Sequence, residues 1–295
     1  MYGLQAPNNH RGGDNVIKET LPKNKLTRGI YLMTHRYLRH SVGIQSAALA
    51  FYLLFMIFPF LIFFSALLGL LQLDVAGILN ALEEFLPRDV AGLIGMYLRY
   101  VGQNPSPHLL FFGLFFSIYF PMRATNTLMR AVRTAYHLGP PRGTFTHLVR
   151  TLLYTVLLIV AVALSLVLIT VGERILSYAV ENFRLPSFFA EMWNRLRFPA
   201  VAAVCFFALF FLYALAQDVR QPWRNIWPGT VASLAAWLGF SWLYAYYVDN
   251  IANYSVVYGS IGTVMALLIW LNMSAMVLIM GAELNGTLIS LRREE

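Results

Sequence analysis

Charge is scarce in this chain, and so is cysteine. Lys, Arg, Asp and Glu make up 12% of the 295 residues while 58% are hydrophobic, whereas a soluble domain usually carries about a quarter of charged residues. A soluble fold of this length would lack the polar surface to cover itself, so that class is excluded. Cys205 is the one cysteine, which excludes an intramolecular disulfide. The six histidines, His10, His35, His40, His108, His137 and His147, form no histidine pair at i, i+4, no HxH and no HExxH, so no metal site is expected. GxSxG, Walker A and dinucleotide fingerprints are absent too. Gly259-Ser260-Ile261-Gly262 lacks a following Lys and reads as a turn at a helix entrance. The adjacent carboxylates Glu83 and Glu84 sit on an amphipathic segment, where a solvated face accounts for them. Neither a catalytic residue nor a cofactor is expected.

What the chain does have is long stretches without charge. Runs free of all four charged types cover His40 to Leu73, Tyr100 to Met122, Thr151 to Gly172, Phe198 to Gln217, Asn225 to Val248 and Asn250 to Ala282. About 20 apolar residues suffice to cross a bilayer core of roughly 30 Å as a helix. The expected fold class is therefore an all-α integral membrane protein with six transmembrane helices, at about 46–72, 108–127, 150–172, 198–217, 226–248 and 259–283. They form one membrane domain, residues 25–290, behind a polar tail at 1–24 that has no period and reads as disordered. The tail has no apolar core and so is not a signal peptide.

Leu26, Ile30, Met33 and Tyr37 recur at helical spacing among Arg28, Arg36, Arg39 and His40, which predicts an interfacial helix leading into the first span. Amphipathic helices are expected on the outer surface at 75–102, and an outer loop at 173–197. Placing the N-terminus, the second and fourth loops and the C-terminus on one side collects 16 Lys and Arg against 6 on the other. Positive residues stay inside, so both termini are expected in the cytoplasm. The net charge of +8 then follows from topology and contact with anionic lipid, and no nucleic-acid partner is needed to explain it.

A few residues break the apolar monotony. Pro59 and Pro121 lie inside the first and second spans and predict kinks, tolerated for packing or used as hinges. Ser46 with Ala50, Ala232 with Ala236 and Ala282 with Gly286 put small residues at four-residue spacing, which permits close helix approach. At about 100° per residue, Arg123, Asn126, Arg130 and Arg133 fall within an arc of roughly 80°. That stripe has two readings: basic side chains snorkelling to lipid phosphate, or an inward face that holds an anion or pairs with Glu283. Glu283 and Asn285 close the last span near the cytoplasmic interface, where the carboxylate reads as an anchor, an ion-pair partner or a coupling group.

The stretch Ser46 to Phe64 (SAALAFYLLFMIFPFLIFF), the segment Arg123 to Tyr136 (RATNTLMRAVRTAY), Pro228-Gly229 and the run Tyr254 to Asn285 resemble the YihY and virulence factor BrkB family of bacterial inner-membrane proteins. Tyr258, Gly259 and Ser260, with Gly281 and the following Ala282-Glu283-Leu284-Asn285, are the most specific pieces of the resemblance. The chain departs from the family pattern at Gln217-Asp218, where such proteins often carry a proline. The resemblance implies six spans in the inner membrane and supplies no mechanism; a ribonuclease label once attached to the family is taken as a misassignment.

Three functions are compatible with these residues. A transporter or lipid-handling protein would use the Pro-bearing spans, the Arg123 to Arg133 stripe and Glu283 as a polar path for an anionic small molecule or lipid headgroup. A structural or partner-binding subunit would owe the same residues to packing. A nuclease would need clustered acidic ligands in the cytoplasmic loops, where Asp218 stands alone. The expected partners are membrane lipids, an anionic substrate or headgroup, and a second copy of the chain.

Overall fold

The computed structural model describes residues 25–70, 107–139, 143–183, 188–217, 222–250 and 260–293. Within them the chain is helical, with no strand. The helices are α1 (Lys25–Arg39), α2 (Val42–Leu70), α3 (Pro107–Ala135), α4 (Thr144–Phe183), α5 (Phe188–Leu215), α6 (Trp227–Asn250) and α7 (Ser260–Arg293), with a single 3₁₀ turn at Trp223–Asn225. Pro59 and Pro121 both lie inside unbroken helices and are buried.

Five segments are long and apolar enough to cross a membrane: Val42–Phe63, Thr144–Val162, Arg195–Leu215, Trp223–Val248 and Val264–Arg292. The expected sixth, α3, has the same 29-residue length as α2, but Arg123, Arg130 and Arg133 in its second half lower its apolarity. It nevertheless runs antiparallel along α2. Phe120 meets Phe55, Arg123 meets Tyr52 and Arg36 meets Ala135, a register that holds from the outer half of α2 to its start. Gly113 continues it, because a Cβ there would stand 2.6 Å from the Phe63 backbone nitrogen.

The radial distribution of side chains is the reverse of a soluble protein's. Phe111, Phe115, Val162 and Trp242 are among the large apolar side chains facing outward, while Ser46, Thr125, Thr230, Ser233, Glu283 and Asn285 are buried. Lipid is as good a solvent for Phe and Leu as a protein core, so small and polar residues gain most from helix contact. Ser46, Ala50, Ala282 and Gly286 are buried as the small-residue spacing predicts. Ala236 is exposed instead, because α6 turns the face of Gly229, Ser233 and Trp237 toward α7.

One end of the bundle, here called the basal end, gathers the start of α2, the end of α3, the end of α5, the start of α6 and the last turns of α7. Arg36 bonds Ala135 and Gly286, Arg133 bonds Ala216, and Asn285 bonds Ile226 and Gly229. Successive helices from α2 to α7 therefore alternate in direction.

Three boundaries differ from the sequence expectation. The outer loop at 173–197 is largely helix, since α4 continues through Phe183 and α5 begins at Phe188. Residues 173–183 contain no Gly or Pro, so nothing stops the helix where the apolar run stops. The spans at 108–127 and 150–172 are likewise parts of longer helices, because absence of charge tracks hydrocarbon and not helix ends. The expected helices at 75–102 and the tail at 1–24 lie outside the described residues.

Candidate functional site

The basal end is built around Glu283, which is fully buried. Its two oxygens divide between residues of one helix and the turn after it. Oε2 accepts from Arg36 Nη1 at 3.4 Å, and Oε1 lies 2.6 Å from His40 Nδ1. Arg36 and His40 are four residues apart, so the end of α1 presents both from the same face. An ionised carboxylate accepts only, so His40 carries its proton on Nδ1 in this contact.

Arg36 ties three helices together. Besides Glu283 it donates to the Ala135 carbonyl at 3.0 Å, the Gly286 carbonyl at 3.4 Å and Ser290 Oγ at 2.8 Å. Its Nη2 also lies 3.0 Å from His137 Nε2. Guanidinium has donors and no acceptor, so Nε2 of His137 must accept, and that imidazole is neutral with its proton on Nδ1. Electrostatics agree: loss of hydration, then the charges of Arg36 and His40, hold His137 below the ordinary imidazole value, while Glu283 opposes them. Burial also lowers Arg36, against the pull of Glu283. The rings of His40 and His137 stand edge to face at 5.9 Å.

His137 is positioned by a helix stop. Its φ is 53°, its N–H donates to Thr134 and the next N–H, of Leu138, donates back to Arg133. Those two bonds are the Schellman closure of α3, with histidine in the left-handed position that glycine usually takes.

Asn285, two residues after Glu283, is likewise fully buried on α7. Its Oδ1 accepts from Gly229 N at 2.7 Å and its Nδ2 donates to Ile226 O at 2.8 Å. It thereby satisfies two backbone groups at the start of α6. Toward the bundle centre, Gly281 sits against Ser233 and Tyr213, where a Cβ would overlap the Ser233 hydroxyl.

The basic stripe on α3 is split. Arg133 is buried and turned inward, donating to Gly139 O at 2.6 Å and to Ala216 O at 3.2 Å. Asn126 bonds His147 of α4 at 2.8 Å. Arg123 and Arg130 are exposed. Neither reaches Glu283, whose partners are Arg36 and His40, because Arg123 and Arg130 point out of the bundle and the carboxylate points in. The Arg123 guanidinium donates to Tyr52 Oη at 3.3 Å and lies over the rings of Tyr52 and Tyr119. Among the family-like residues, Tyr258 and Gly259 lie outside the described residues and Ser260 opens α7. Arg36, His40 and His137 were not singled out from the sequence. The i, i+4 spacing of Arg36 and His40 was the signal available for two of them.

Outward-facing apolar helices around a polar interior, with an ionic cluster closing one end, define a polytopic helical membrane protein. The chain belongs to the virulence factor BrkB family, whose model matches residues 33–295. It is 28% identical over 253 residues to a Bacillus subtilis protein named as ribonuclease-like, YfkH, covering 86% of this chain and 92% of that one. It is 25% identical over 270 residues to a UPF0761 membrane protein of Pseudomonas aeruginosa, covering 88% of this chain and 62% of that longer relative. No solved structure matches. Among the described residues no three His, Cys, Asp or Glu side chains gather where they could hold a metal ion.

Proposed function

We propose that this protein moves or handles an anionic small molecule or anionic lipid in the bacterial cytoplasmic membrane, with α3 as a sixth crossing and both termini in the cytoplasm. The observation that carries the reading is Arg123. Tyr52, its partner, is the eleventh residue of α2 (Val42–Leu70), which sets the guanidinium about 15 Å along that apolar helix from its basal start. An arginine beside an apolar helix is costly, the cost rising toward about 2.5–3.5 kcal/mol at the bilayer centre on insertion scales. Its paired alternative, a nearby carboxylate, is missing among the described residues. A cation held there at such cost is accounted for by an anion that visits it.

Flux in proteoliposomes tests the reading. The purified chain should accelerate passage of organic anions or anionic lipid over protein-free vesicles, with Arg130→Ala and Glu283→Gln as controls for the stripe and the cluster. Absence of flux for every anion offered would sink it.

A second reading rests on the basal cluster. Every charged atom of Glu283 and most of Arg36 is used up in ties between α1, α3 and α7. Such saturation suits a non-transporting structural or partner-binding subunit, and a folded, reconstituted chain that gives no flux would favour it.

A further inference from the structure

Arg123 and Arg130 belong to one line on the outside of the bundle. Arg123, Thr127, Arg130 and Thr134 are spaced i, i+4, i+7 and i+11, which keeps them on a single strip of α3. Arg123 and Arg130 are exposed and the two threonines are half-buried, each bonded to the carbonyl one turn back. The strip runs from the basal end to the level of Tyr52, about 16 Å at 1.5 Å per residue. Outward of Arg123 the same face turns aromatic, with Tyr119 and Phe116. Polar groups thus line the basal half of the face and rings line the other half.

The direction of Arg123 separates this strip from ordinary snorkelling. A side chain reaching for basal headgroups would bend toward Thr127 and Arg130. Instead the guanidinium lies over Tyr119, one turn nearer the middle of the bundle, and its one hydrogen bond goes to Tyr52. Among the described residues its remaining N–H donors meet no protein acceptor, and the Arg130 side chain bonds none. The surroundings are also unlike a water-filled pore, because Phe51, Phe55 and Phe115 beside the strip are exposed at 48%, 41% and 63%. A ligand reaching Arg123 meets cations and large apolar side chains together, from the lipid side.

We infer that the strip from Thr134 to Arg123 is a lateral site for the phosphate of an anionic phospholipid, which enters from the basal leaflet with its acyl chains against Phe51 and Phe55. This rests on the proposed anion handling and narrows it to a membrane-dissolved amphiphile. A planar guanidinium with free parallel N–H groups matches a phosphate oxygen pair. Two such groups on one line, about 10 Å apart at 1.5 Å per residue, give the headgroup successive stations into the bilayer.

The full chain is reconstituted into phosphatidylcholine vesicles holding a trace of acyl-labelled fluorescent phosphatidylglycerol, and dithionite bleaching reports exchange between leaflets. A parallel set of vesicles measures uptake of radiolabelled inorganic phosphate. The expected result is protein-dependent phosphatidylglycerol exchange that falls at least tenfold in Arg123→Gln, falls less in Arg123→Lys, and weakens in Arg130→Gln. Thermal stability of Arg123→Gln should be at or above that of the parent, since a costly charge is removed; a lower stability would mark Arg123 as structural and overturn the assignment. Exchange unchanged in Arg123→Gln overturns it as well. If phosphate uptake depends on Arg123 and lipid exchange does not, the lipid site fails and anion handling stands. If neither process occurs, both fail.

Discussion

His40 Nδ1 stands 2.6 Å from Glu283 Oε1, and Arg36 closes the other oxygen of the same buried carboxylate at 3.4 Å. A short helix ahead of the bundle and the turn after it therefore supply the partners of a buried carboxylate in its last helix. This makes α1 part of the fold, because withdrawing it would leave Glu283 buried without a partner. The apolar side chains of α1 divide: Tyr37 packs against the core and Met33 meets Thr287, while Ile30 and Leu38 are exposed at 60% and 72%, as suits a helix lying against lipid.

Arg36→Ala should cost about 3–5 kcal/mol, the penalty for orphaning one partner of a buried pair. Glu283→Gln should cost less, since the amide needs no countercharge. In the double variant Arg36→Ala, Glu283→Gln most of the Arg36 penalty should disappear. Unfolding in detergent measures all three, and strictly additive losses would show that the two side chains do not act through each other.

The cluster should loosen in acid. His137 accepts from Arg36 only while neutral, and its folded value lies below the ordinary 6.5. Below pH 6.5 the unfolded chain binds a proton that the folded imidazole resists, so stability falls as pH drops toward the lowered value and levels off beneath it. The charged and titratable groups facing it are Arg36, Arg39, His40 and Glu283. Protease access to α1, followed from pH 8 to pH 5, should rise through this range in the parent. A flat profile in the parent would remove His137 from the argument.

His137→Gly separates backbone from side chain. Glycine fits a φ of 53° without the steric cost, of order 1 kcal/mol, that histidine carries there. The variant should melt no lower than His137→Ala at pH 8 and should lose the acid sensitivity. A variant that retains the acid transition would assign it to another group.

The helical membrane class was legible in the sequence because hydrocarbon demands charge-free length, which five segments among the described residues show. The contents of the bundle's basal end were less so. Arg123 to Arg133 formed one arc on a helical wheel, yet a wheel gives angle and not neighbours, and the α2, α4 and α5 contacts divide the arc into outward Arg123 and Arg130 and inward Asn126 and Arg133. Glu283 stood out as a lone carboxylate. Its partners are 247 and 243 residues away in Arg36 and His40, and no local period links positions so remote. The helix expected ahead of the first span runs from Lys25 to Arg39, but its spacing does not show that the Glu283 charge draws Arg36 inside.

Asn285 offers the sharpest test of packing in the last span. Both ends of its amide are committed to backbone, to Gly229 N and Ile226 O, at the point where α6 begins. Asn285→Leu is close in size but removes both bonds. The Ile226 carbonyl keeps its bonds from Thr230 N and Oγ1, while the buried Gly229 N–H is left unpaired, so a loss of about 1–3 kcal/mol is expected. Asn285→Asp keeps the acceptor for Gly229 and sets an oxygen against the Ile226 carbonyl, so at neutral pH it should be destabilising as well. Gly281→Ala provides the control, since it leaves Asn285 intact and disturbs the same α6–α7 contact through overlap with Ser233, at about 1–3 kcal/mol for overpacking. If Asn285→Leu melts with the parent while Gly281→Ala does not, the α6–α7 contact is held by shape and the amide contributes nothing.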